Sequence, residues 1–137
     1  MPGGAGNPGR VASPDDELVG VARDATTILE VLDVLHEHDA ALCLADRRGP
    51  VGPLRATARW AFVRLHAGGA RPEPCYGRRA LTTWVERIVD LFGASADGYL
   101  YCNNDTHACA VRNAAELARI ATRAGLDVAA PVGGDPA

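Results

Sequence analysis

A partial, TIM-barrel-like α/β fold with about four parallel strands is what this 137-residue chain predicts, and three observations carry the prediction. Three apolar runs end abruptly in polar side chains: Ala41–Asp46, Trp60–His66 and Tyr99–Asp105. Two of them are followed by segments with helical periodicity, and strand-helix alternation implies parallel strands joined by right-handed crossovers. The polar residues gather where each run stops, and in parallel α/β folds ligands bind at the carboxyl ends of strands.

The elements follow in order. Gly and Pro crowd the ends, so residues 1–16 and 127–137 are expected to be disordered tails around one domain at 17–126. Leu18–Ala22 is a short apolar run with the length of a strand. Ile28, Val31, Leu32 and Leu35 then recur at one helical face, which predicts a helix over about Asp24–Glu37. Strand Ala41–Asp46 comes next, and the two prolines and two glycines of 49–53 forbid regular structure after it. Trp60–His66 is the following strand, and Ala67–Pro74 forms a second loop on the same rim. Leu81, Trp84, Val85, Ile88 and Phe92 mark an amphipathic helix that stops near Gly93. Strand Tyr99–Asn103 and a helix over about Ala108–Ala124 complete the order.

Composition narrows the function classes. All 14 basic residues are arginine and the net charge of −3 is spread without blocks, so no clustered basic face marks a nucleic acid or an anionic membrane as partner. No apolar run has the length of a secretory core or a membrane span, and the protein is expected in the cytoplasm. Cys43, Cys75, Cys102 and Cys109 show no Cys-x-x-Cys spacing, and free thiols are expected.

Side-chain alternation assigns the polar strand ends to faces. On Trp60–His66, residues Trp60, Phe62, Arg64 and His66 share one face. Equal parity on the neighbours adds Leu42, Leu44 and Asp46 from one strand and Tyr99, Tyr101 and Asn103 from the other. The candidate site is therefore Asp46, Arg64, His66 and Asn103, with Asn104 and Asp105 beside it. His66 and Asp46 are the candidate acid-base pair, while Arg64, Asn103, Asn104 and Asp105 are candidate ligand-binding groups for a small anionic or polar ligand. An arginine facing a barrel interior needs a counter-charge, so Arg64 is expected to pair with Asp46, and truncating it to damage folding. Two competing uses remain open at this point, a structural polar layer and turn or cap chemistry for the asparagines and Asp105. No histidine pair has metal-ligand spacing, and no metal or cofactor is assigned.

Ala41–Asp46, the arginine-x-histidine strand Trp60–His66, Tyr76 with the helix after it, and Tyr99–Asp105 through Asn113-Ala114 resemble the uncharacterised YecE-like family, domain of unknown function 72. The resemblance covers roughly Leu18–Leu126. It implies a TIM-barrel-like fold of which this sequence holds the later strands, about half a barrel. The family usually carries a Glu-x-Arg-His segment early in this region, where Val21–Thr26 retains only the arginine. Cys102 stands for a usual phenylalanine, and Ala67 for a usual glycine. With half the barrel and the early motif missing, and no settled activity to transfer, the resemblance implies a truncated or degenerate member without demonstrable catalysis. The alternatives are a hydrolase- or isomerase-type enzyme acting on a small phosphorylated or carbohydrate-like ligand at the rim, or an interaction module. Four parallel strands cannot close, since such a barrel uses about eight. The open face is thus expected to be buried in a homodimer or to leave a marginally stable, dye-binding chain.

Overall fold

The computed structural model describes residues 25–48 and 52–129. The expected strand at Leu18–Ala22 and most of the two expected tails lie outside them. The described elements are α1 (Ala25–Glu37), β1 (Cys43–Asp46), β2 (Ala61–Leu65), α2 (Arg78–Phe92), β3 (Gly98–Cys102) and α3 (Cys109–Arg123), the last preceded by a 3-10 turn at Thr106–Ala108. The strands form an open parallel sheet in the order β1-β2-β3. With its flanking helices it is a partial, barrel-like half. Among the described residues no helix is long and apolar enough to cross a membrane.

The register sets the faces. Leu44 pairs with Val63 and Val63 with Leu100, while Asp46 pairs with Leu65 and Leu65 with Cys102. These residues share one face, and its central members are buried: Leu44, Val63 and Leu65 are at most 1% exposed. Leu81, Trp84 and Val85 of α2 and Leu117 and Ile120 of α3 pack with them in the core. Their spacing of three or four places each set on one helical face. Each such aliphatic or aromatic side chain contributes roughly 1.5 to 3 kcal/mol by leaving water. On the opposite face Cys43, Phe62 and Tyr99 form one row and Ala45, Arg64 and Tyr101 the next. Trp60 meets Tyr99 edge-on with centroids 5.9 Å apart, and Phe62 and Tyr101 are 5.5 Å apart. Tyr99 and Tyr101 are each about half exposed, so no described element covers this face.

Local chemistry fixes the element ends. α2 stops because Gly93 turns left-handed at φ 86°, and its N–H donates back to the Val89 carbonyl at 2.8 Å. At the amino end of the sheet, the Thr57 hydroxyl accepts from Leu42 N–H at 2.8 Å and donates to the Ala40 carbonyl at 2.7 Å, clasping the chain before β1 to the chain before β2. The expected free thiols of Cys75 and Cys109 are corrected, since the two form a disulfide. Although 34 residues apart in sequence, they are brought to a Cα separation of 5.0 Å by the crossover, which lays the loop before α2 against the start of α3. Cys43 and Cys102 are free.

Candidate functional site at the carboxyl rim

The rim extends the sheet by one residue on each side of β2. His66 N–H donates to the Asp46 carbonyl at 2.7 Å, and Asn103 N–H donates to the Leu65 carbonyl at 2.8 Å. After these bonds the chain must leave the sheet, and β2 does so through Ala67, which is left-handed at φ 66°, followed by two glycines. Small residues are required there. A Cβ on Gly68 would lie 2.4 Å from Asp46 Oδ1 and 2.6 Å from the Arg47 carbonyl oxygen, and one on Gly69 would lie 3.0 Å from Asp46 Oδ2.

This close approach organises Asp46. Its Oδ2 accepts from Gly69 N–H at 2.9 Å, the Tyr76 hydroxyl at 2.9 Å and Trp84 Nε1–H at 3.3 Å. Asp46 is 7% exposed, so these three donors supply the hydrogen bonds that a buried carboxylate needs. Burial, reinforced by the bond to Asp46, pushes the Tyr76 hydroxyl well above the ordinary tyrosine range, so it stays a protonated donor. The carboxylate thereby ties β1 to the loop after β2 and to α2. A cleft of about 300 Å³ lies beside it, lined by Asp46, Arg47, Gly68, Gly69, Ala80, Thr83, Trp84 and Arg87.

The expected pairing of Asp46 with Arg64 is corrected. Asp46 stands opposite Leu65 in the register, so its side chain and that of Arg64 emerge on opposite faces. Arg64 is exposed, and its Nε–H donates to Asn103 Oδ1 at 3.2 Å. The open face therefore brings Arg64 and Asn103 together. His66, half-buried, lies one residue beyond β2. Burial first, then the positive charges of Arg64 and Arg47, hold its imidazole below its ordinary value, with Asp46 opposing. Arg64 and Arg47 thus make one electropositive edge beside the imidazole of His66.

Asn104 and Asp105 are not part of that edge. Asn104 is 4% exposed and turns to the helix side, where its amide donates to the Pro74 carbonyl and to Asn113 Oδ1, each at 2.8 Å. Asn113 in turn accepts from Tyr76 N–H and donates to the Tyr76 carbonyl, both at 2.9 Å. Asn104 Oδ1 is buried without a partner among the described residues. Asp105 is exposed, and although it precedes the 3-10 turn its side chain makes no capping bond.

Tyr76, Trp84, Asn113 and the glycine pair are the organising residues that the strand-end pattern misses. The Gly68-Gly69 dipeptide directly after a strand is the signal that could have found them, because it marks a close backbone approach. Among the described residues no group of three or more His, Cys, Asp or Glu side chains is placed to hold a metal ion.

Comparisons with known proteins agree with this architecture. The chain matches the family model described as "Protein of unknown function DUF72" over residues 23–134. A crystal structure of a DUF72 family protein from Enterococcus faecalis superposes with a TM-score of 0.59 at 16% sequence identity. That match covers 82% of this chain and 47% of the other, so the chain spans about half the length of the relative it matches. No curated protein matches. At this identity the superposition speaks for the fold alone, while the family match takes in every described element, and the chain belongs to the DUF72 family.

Proposed function

We propose that the carboxyl rim binds a small anionic ligand, phosphorylated or carboxylated, on the open side of the sheet. The observation that carries this reading is Arg64. Its Nε donates to Asn103 Oδ1, its side chain is exposed on the open face, and it has no ion-pair partner among the described residues. An oriented guanidinium of this kind recognises phosphate or carboxylate by paired hydrogen bonds. Arg47 adds positive charge to the same edge, next to His66. The family description carries no activity, and no catalysis is demonstrated for this chain.

A hydrolase- or isomerase-type activity on such a ligand would need a proton-transferring group. His66, held below its ordinary value and hence largely neutral near pH 7, is the rim residue suited to it. Asp46 would support it only through the backbone, because its carboxylate is engaged by Gly69, Tyr76 and Trp84.

Calorimetric titration with inorganic phosphate and with sulfate tests the reading. Wild-type protein is expected to bind, and Arg64→Ala to weaken binding about tenfold or more, the cost of one charge-assisted contact. Equal affinity in the two proteins, or no binding by the wild type, would overturn it.

A further inference from the structure

The Cys75–Cys109 bridge lies outside the anion-binding edge, and its two sulfurs sit in unequal surroundings. Cys109 is fully buried and is the first residue of the 15-residue helix α3. Cys75 is partly exposed in the loop before α2. Arg112, one turn into α3, brings Nη2 to 3.4 Å from Cys75 Sγ and 3.7 Å from Cys109 Sγ, and anchors itself on the His107 carbonyl at 2.9 Å. A helix amino end and an adjacent guanidinium both stabilise a thiolate. The accessible sulfur is therefore positioned to be attacked and the buried one to leave.

We propose that Cys75–Cys109 is a thiol-disulfide exchange site with a fixed polarity, its co-reactant being a dithiol. A thiolate of the dithiol attacks Cys75 Sγ. The bond to Cys109 breaks, its electron pair departing on Cys109 Sγ, and Cys75 is left in a mixed disulfide with the incoming sulfur. The second thiol of the co-reactant, as thiolate, then attacks its own partner sulfur in that mixed disulfide, and the electron pair departs on Cys75, which takes up a proton. The protein disulfide is reduced to two thiols, and the dithiol is oxidised to its disulfide. Such exchange runs faster when the leaving sulfur is the better-stabilised thiolate. Cutting the bridge removes a covalent tie between α3 and the loop that presents Tyr76, while the hydrogen bonds of Asn113 to Tyr76 keep the two in register.

The test uses the full chain with Cys43→Ser and Cys102→Ala, so that only the paired cysteines report. Dithiothreitol is the reductant, free thiols are counted by mass after acid quench and alkylation, and circular dichroism confirms that the protein stays folded. Reduction is expected in the folded state, slowed about tenfold by Arg112→Ala and largely restored by Arg112→Lys. With oxidised glutathione, the Cys75 thiolate of Cys109→Ser is expected to attack the glutathione disulfide, forming the mixed disulfide and releasing one reduced glutathione, whereas the buried Cys109 of Cys75→Ser is expected to react at least tenfold more slowly. Three results would overturn the proposal: reduction only under unfolding conditions, an unchanged rate in Arg112→Ala, or oxidised glutathione that reacts with Cys75 no faster than with Cys109 while the protein is folded.

Discussion

Replacing Asp46 by alanine would leave the Tyr76 hydroxyl, the Trp84 indole N–H and the Gly69 amide without their acceptor. Of these, the Tyr76 and Trp84 donors are buried, and each buried donor stranded in this way costs about 1 to 3 kcal/mol, so Asp46→Ala is expected to lose about 2 kcal/mol or more in a chemical-denaturation curve. Gly68→Ala attacks the same point from the other side, pressing a methyl group onto the Asp46 carboxylate and the Arg47 carbonyl. The backbone must move, and overpacking of this kind costs about 1 to 3 kcal/mol. Arg64→Ala contrasts with both. Because Arg64 is exposed and bonded only to Asn103 among the described residues, its loss is expected to shift stability by no more than about 0.5 kcal/mol while weakening anion binding. A melt that collapses in Arg64→Ala would restore the buried-pair expectation that the register contradicts.

His66 gives the rim a pH dependence whose sign follows from its surroundings. Its folded-state value lies below that of the unfolded chain, about 6.5, so at lower pH the unfolded chain binds more protons. The penalty is absent above that value, grows as pH falls through the window down to the folded value, and is complete below it. An anion at this edge would oppose the Arg64 and Arg47 charges and raise the imidazole value, so binding should tighten as pH falls through the same window. Sulfate, which stays dianionic there, is the suitable probe. Imidazole resonances titrated with and without sulfate should move to higher pH in its presence. A shift to lower pH, or none, would place the anion elsewhere.

At the scale of elements, α1, α2, α3 and the three described strands were legible because each carries its own periodicity or its own apolar run. Leu81, Trp84 and Val85 announce the buried face of α2 with no knowledge of what they pack on. The faces of the strands were less legible, since parity within a strand is local but parity between strands depends on pairing. Setting Asp46 opposite Leu65 rather than Arg64 moves it across the sheet, and nothing in either run specifies that register. Asn103 and Asn104 show the limit most plainly: adjacent and chemically identical, one steadies an arginine on the open face and the other enters a buried amide network. The Cys75–Cys109 bridge was illegible for the same reason, because 34 residues of intervening chain hide a contact that only the crossover creates. Asn113 is the hinge of that network. Asn113→Ala removes its bonds to both backbone groups of Tyr76 and to Asn104, and is expected to cost about 2 to 3 kcal/mol and to loosen the loop before α2, visible as faster amide exchange at Tyr76.

For the whole molecule, the consequential feature is the aromatic face of the sheet that no described element covers. In a closed barrel of about eight strands the residues on this side would meet an opposite wall. Here Trp60, Phe62, Tyr99 and Tyr101 form paired rings with none among the described residues, and a shallow depression of about 520 Å³ lies between Trp60, Phe62, Asp97 and Tyr99. Contiguous apolar surface of this kind favours association. A second copy offers the same aromatic rows for face-to-face burial and, with a net charge of only −3, little electrostatic repulsion against it. The isolated chain is therefore expected to self-associate, with light scattering showing a mass that rises with concentration, and to bind an apolar dye in its monomeric fraction. Tyr99→Ser combined with Tyr101→Ser should suppress both effects with little loss of stability, since both side chains are already half exposed. A wild-type chain that stays monomeric across the concentration range, melts sharply and takes up no dye would show that the aromatic rows are satisfied without a partner.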